Sequence, residues 1–180
     1  MHPRTQELLQ HLDTQFEHLR QTVQGIPREG RGVKPAPDRW SVAEILEHLS
    51  IVEGRIERLL ATKVGEARAA GLGEDRETSP VVGTIDMARM LDRTRPIMSS
   101  ESARPTGTLD AEAAWSALEH VHAKLVQTVR GSDGLALGTI AVPHPVLGPI
   151  NLYQWISFVG GHEARHAAQI AELQPSPVGS

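Results

Sequence analysis

Four stretches of this chain repeat their apolar residues every three or four positions, and that rhythm restricts it to helices packed on one another. Leu8, Leu12, Phe16, Leu19 and Val23 make the first stripe, and Val42, Ile45, Leu49, Val52, Ile56 and Leu60 the second. Ala114, Leu118, Val121, Leu125 and Val129 make the third, and Leu152, Trp155, Ile156, Val159, Ile170 and Leu173 the fourth. A 3.6-residue period puts each set on one helix face, and such a face must be buried against another element. Four of them closing on one core give an all-α four-helix bundle with long irregular connections. Aromatic residues are only 3% of the chain, so that core is built from Leu, Ile, Val and Ala.

The helix ends are written in capping chemistry. The first helix is expected over residues 4–24, with Gly25 as its C′ residue and Pro27 blocking continuation. The second starts at Ser41 as N-cap with Glu44 three residues on, a capping box, and Trp40 can staple onto Ile45. It should reach about Lys63 or a turn further. The third spans about residues 109–130, with Thr108 as cap and Gly131 beyond its end. The fourth starts at Asn151, with Gln154 completing a second box and Ile150 stapled to Trp155. Residues 28–39 and 65–80 read as loops, while the pattern over 81–100 is ambiguous, compatible with strand at Val81-Val82 and a short helix over 85–91. Residues 134–150 are apolar but broken by Gly and Pro, which argues against a central strand. They either fold over the bundle or form part of a homodimer contact, with His144, between two prolines, facing solvent. Residues 1–174 form one domain and 175–180 a disordered tail.

Composition removes several functions. With no cysteine among 180 residues there is no disulfide, thiolate metal site or cysteine nucleophile, so any reacting thiol must arrive with a substrate. A net charge of −4 and the lack of a basic block argue against a nucleic-acid partner. No apolar run approaches membrane-spanning length and the N-terminus has no apolar signal core, so the expectation is a cytoplasmic protein with no membrane partner.

The chemistry concentrates in Gly161-His162-Glu163-Ala164-Arg165-His166. Two histidines four apart on a helix share a face, about 6 Å apart along the axis, and can bind one metal ion. The string also fits His-Glu-x-x-His, the zincin motif, whose glutamate is a general base. That reading fails downstream: the fourteen residues after His166 hold no histidine, and Glu172 lies too near, on the same helix. A third ligand must come from earlier in the chain. His48, on the shoulder of the second stripe, leads; His122, on the inner side of the third, follows as ligand or supporting partner. Glu163 could act as base or orient a ligand, Glu44 could orient His48, and Arg165 and Gln169 could line the mouth.

Two segments carry a family resemblance. Trp40-Ser41-Val42-Ala43-Glu44-Ile45-Leu46-Glu47-His48-Leu49 is similar to a tryptophan followed by a helix bearing His-Leu. His162-Glu163-Ala164-Arg165-His166, followed by Ala167-Ala168-Gln169-Ile170, is similar to a C-terminal His-x-x-x-His with Gln-Ile after it. In order and separation the chain resembles the DinB/YfiT-like superfamily, in its broad DinB-like branch. The resemblance implies a four-helix bundle with a divalent metal ion (Zn, Ni or Fe) on His48, His162 and His166. It further implies a metal-dependent enzyme acting on a small-molecule substrate, either a transferase using a low-molecular-weight thiol or a hydrolase. The alternative is a non-catalytic metal- or ligand-binding stress-response module.

Overall fold

A computed structural model describes residues 1–86 and 101–173. Among these residues, four long helices and one two-stranded hairpin make the framework: α1 (Pro3–Gln24), α2 (Val42–Ala69), α3 (Ala111–Gly131), β1 (Ala141–His144), β2 (Gly148–Asn151) and α4 (Leu152–Ala171). The all-α bundle expected from the four stripes is the fold observed. Helix α2 packs along α3 and α1 along α4, and the two pairs close on each other. No helix among the described residues is long and apolar enough to cross a membrane.

Both capping boxes form. Ser41 Oγ accepts from the Glu44 amide at 3.2 Å, while Glu44 Oε2 accepts from the Ser41 amide at 2.9 Å. Asn151 and Gln154 make the same reciprocal pair at 3.0 and 2.9 Å. Three other boundaries differ from expectation. Helix α2 passes through Gly65 because Val64 and Ala67 continue its buried stripe beyond Leu60. It stops where Gly71 takes φ +73°, with the Gly71 and Leu72 amides donating to the Arg68 and Ala67 carbonyls. Asp110, not Thr108, caps α3, accepting from the Ala113 amide at 2.8 Å; a carboxylate suits the positive end of the helix better than a hydroxyl. Gly131 remains inside α3, and the left-handed turn falls at Gly134, φ +76°. Helix α1 ends at Gln24 as expected; Gly25 stays in the right-handed region at φ −67°, so Pro27 and not a left-handed glycine stops it.

Residues 141–151 form an antiparallel hairpin in which Pro143 faces Pro149. Both strands of a two-stranded sheet are edges, so a proline without an N–H is tolerated there. Strand β2 runs directly into the Asn151 cap, and the hairpin lies back on α4. That corrects the expectation for His144, which is buried. Its Nδ1 accepts from the Val146 and Leu147 amides, both at 3.1 Å, and its ring lies 4.8 Å from Trp155 and 4.5 Å from Phe158. Val81 and Val82 are not strand, Val82 lying in a turn, and their amides donate to Glu7. The helix expected over 85–91 and the tail expected over 175–180 lie outside the described residues, apart from Ile85 and Asp86, which are not helical.

The core is two apolar clusters stacked along the bundle. One gathers Leu8, Leu12, Ile56, Leu60, Leu125, Leu152 and Ile156; the other Phe16, Leu19, Ile45, Leu49, Leu118 and Ala167. Between them each of three helices carries a polar residue in sequence with its stripe: Glu53 between Leu49 and Ile56, His122 between Leu118 and Leu125, and Glu163 between Val159 and Ala167. All three are buried, at 2%, 8% and 0% exposure.

Candidate metal centre

His48 sits two turns into α2, and His162 and His166 occupy successive turns of α4. The bundle brings the three imidazoles together. His162 Nε2 lies 3.4 Å from His48 Nε2 and 3.1 Å from His166 Nε2. His48 and His166 are buried and His162 is half-buried.

The other ring nitrogens fix the chemistry of two members. His48 Nδ1 donates to the Ala103 carbonyl at 2.6 Å, and His166 Nδ1 donates to Gln169 Oε1 at 2.9 Å. A carbonyl oxygen can only accept, so each Nδ1 carries the proton and each neutral ring presents a lone pair at Nε2. Burial lowers the pKa of His48, opposed by the Ala103 carbonyl and reinforced by the charge of Arg55. Burial also drives His162 well below its ordinary value, helped by the charges of His166, His48, Arg165 and His144. Burial thus favours the neutral form of His48 and His162, the form that binds metals.

Lone pairs converging at 3.1–3.4 Å repel unless a cation or a shared proton lies among them. A tetrahedral ion with metal–nitrogen bonds of about 2.0–2.1 Å separates its ligand nitrogens by about 3.3 Å. The donor set thus fits a divalent ion.

The surroundings are built to hold this arrangement. The segment carrying Ala103 is clamped to α2 by Glu47, whose carboxylate accepts from the Thr106 amide at 2.9 Å, the Thr106 hydroxyl at 2.6 Å and the Gly107 amide at 3.0 Å. Arg55 donates to the Ser102 hydroxyl at 2.8 Å and to the Ser102 carbonyl. Aromatic rings flank the histidines. Trp40 lies 4.9 Å from His48, and Phe158 stacks on His162 at 5.5 Å with 15° between planes.

Two of the residues singled out in the sequence stand elsewhere. Glu44 does not reach His48; its carboxylate serves the capping box and an ion pair with Lys34 at 2.8 Å. Glu163 does not join the three imidazoles. Its carboxylate meets His122, with Oε1 3.3 Å from Nδ1, while the same Nδ1 donates to Glu53 Oε1 at 2.9 Å. Burial raises the Glu163 pKa to about 8 against the pull of His122, with the Glu53 charge adding to the rise. Burial raises Glu53 as well, opposed by His122. Burial alone would lower His122, but the close Glu163 carboxylate and the hydrogen-bonded Glu53 carboxylate prevail and lift it to about 9. Gln169 lies on His166 as a supporting partner. A separate cavity of about 450 Å³, lined by Arg28, Arg31, Lys34, Glu44 and Glu112 among others, contains none of the histidines, and several of its charges are already paired.

Glu53, Glu47 and Ala103 were not visible as functional positions in the sequence. Glu53 left a usable signal: it stands four after Leu49 and three before Ile56, on the core rhythm, whereas Val52, assigned to the stripe, is only half-buried. Glu47 and Ala103 left none, because their roles depend on a loop meeting a helix 55 residues away.

The DinB superfamily matches the chain over residues 11–170. An uncharacterized protein of Bacillus subtilis (strain 168), YuaE, is 24% identical over 153 residues, covering 84% of this chain and 88% of the relative. No solved structure is detectably similar to this chain.

Proposed function

This chain belongs to the DinB superfamily, and on that premise we propose that it is a metal-dependent enzyme acting on a small molecule, with His48, His162 and His166 holding one divalent ion. The observation that carries the reading is the convergence of three Nε2 atoms, two of them in rings whose Nδ1–H groups are tied to acceptors. A divalent ion held by these three imidazoles would supply Lewis acidity that lowers the pKa of a water or thiol. Zinc, nickel and iron all suit imidazole donors.

The chain's own residues do the rest. The Ala103 carbonyl and Gln169 hold the His48 and His166 rings in the ligating tautomer. Trp40 and Phe158 supply apolar surface that restricts water beside the histidines. Because the chain has no cysteine, a thiol would enter as a low-molecular-weight co-substrate attacking a small electrophile, and hydrolysis of a small molecule is the parallel use of the same site. Glu163 is not assigned the base: its carboxylate is fully buried against His122 and cannot meet a substrate proton.

The test is turnover. Metal-loaded protein, chelator-treated protein and His162→Ala are assayed against paired low-molecular-weight thiols and electrophiles, and against hydrolase substrates. Activity confined to the metal-loaded wild type supports the enzyme. A metal-loaded protein that turns over none of them favours the second reading, a metal-binding module without catalysis.

A further inference from the structure

The polar layer between the two apolar clusters lies outside the three-histidine site and asks for its own explanation. Glu53 comes from α2, His122 from α3 and Glu163 from α4, and α1 closes the layer by stacking Phe16 on the His122 ring at 3.8 Å and 16°. Two carboxylates are buried here with one imidazole between them. Among the described residues the one aligned hydrogen bond is His122 Nδ1 to Glu53 Oε1 at 2.9 Å. Glu53 Oε2 and both oxygens of Glu163 are buried with no hydrogen-bond partner among the described residues. A core does not ordinarily leave three carboxylate oxygens unsatisfied, since each costs a full desolvation penalty.

We propose that Glu53, His122 and Glu163 form a second metal site, a closed structural one that holds a divalent first-row transition ion between α2, α3 and α4. The ligand atoms all lie within 4.8 Å of one another. The His122 Nδ1 distances of 2.9 and 3.3 Å to the two carboxylates match the edges of a coordination shell with bonds of about 2.1 Å, which run about 3.0 Å in an octahedron and about 3.4 Å in a tetrahedron. Two carboxylates neutralise a divalent charge, and an imidazole donor favours Mn, Fe or Zn over Mg or Ca. The three side chains offer up to five donor atoms, four carboxylate oxygens and one nitrogen. That leaves little room for solvent or substrate, the mark of a structural site. On binding, the ion displaces the proton that His122 Nδ1 shares with Glu53 and the proton that burial keeps on Glu163, and both leave to solvent. This site is independent of the three-histidine reading and does not require it.

Full-length protein stripped with chelator and titrated separately with Mn²⁺, Fe²⁺ and Zn²⁺ gives the test, with bound equivalents counted by elemental analysis after gel filtration. Wild type is expected to bind one equivalent more of at least one ion than the isosteric pair Glu53→Gln/Glu163→Gln, and to melt at a higher temperature with that ion than without it. His162→Ala, which touches only the other site, should retain this equivalent. Equal equivalents in wild type and the Gln pair for all three ions would overturn the proposal and leave the layer as a proton-shared network. Should the Gln pair not fold, an anomalous difference map from metal-loaded wild-type crystals decides: a peak among Glu53, His122 and Glu163 supports the site, and a map without one overturns it.

Discussion

His162 and Glu163 are neighbours in the chain yet serve two polar clusters of opposite character. His162 faces His48 and His166 where the bundle is partly exposed, and burial disfavours protonation of His162 and His48. Glu163 turns into the core between two apolar clusters, in a set that holds on to protons. One residue, about 100° around a helix, separates a site open to a ligand from one closed to everything but a proton or an ion. Lone pairs are held in place on one side, and anionic oxygens are short of donors on the other. Both fit a cation, but only the first has a member, His162, that is partly exposed.

Removing a member should therefore cost different things in the two places. His122→Ala leaves Glu53 and Glu163 facing each other without a counter-charge and opens a cavity beneath Phe16. Breaking a buried pair of this kind costs about 3–5 kcal/mol, to be read from urea melts of metal-free protein. A cost within 0.5 kcal/mol would mean that water satisfies the layer. The two clusters should also titrate with opposite sign. His122 binds its proton more tightly folded than unfolded, its pKa rising from 6.5 to about 9. The folded state therefore holds the extra proton between those values, and this stability is complete below pH 6.5 and lost as the pH rises through about 9. Metal-free protein should weaken over that window, with Glu163, also raised, to about 8, adding to the loss, while Glu53→Gln/Glu163→Gln shows a flatter profile. Metal on the three histidines is lost in the other direction, as falling pH protonates them.

The smallest effect is expected at Gln169→Ala, which removes the acceptor from His166 Nδ1 and leaves the core untouched. Loss of such an orienting partner weakens metal binding by about 10–100-fold, with stability changed by less than about 0.5 kcal/mol. Competition with a chromogenic chelator measures the first and thermal melting the second. An unchanged affinity would show that the ring needs no help in keeping its tautomer.

The bundle was legible because its signals are local. Leu8 to Val23 keep their period through one helix, and Ser41 with Glu44 or Asn151 with Gln154 close their boxes over three residues. The histidine pair was legible for the same reason, since residues four apart share a helix face wherever that helix docks. His48 required the match of two separated motifs. Its orientation was not legible, because the Ala103 carbonyl reaches it from a loop whose course is set by Glu47, Thr106 and Gly107. The short-range pattern misplaced Glu163 because His-Glu-x-x-His describes a helix in isolation. In the bundle, α3 presents His122 to the glutamate first. His144 was misjudged likewise: flanking prolines describe its backbone, and only the hairpin folding onto Trp155 and Phe158 buries its ring.

The account rests on His48, His162 and His166 acting together on one ion. Elemental analysis of purified full-length protein beside His162→Ala, with matched circular dichroism, tests this most directly. The prediction is one equivalent of divalent metal lost in the variant at unchanged helical content. Equal metal in the two proteins would contradict it.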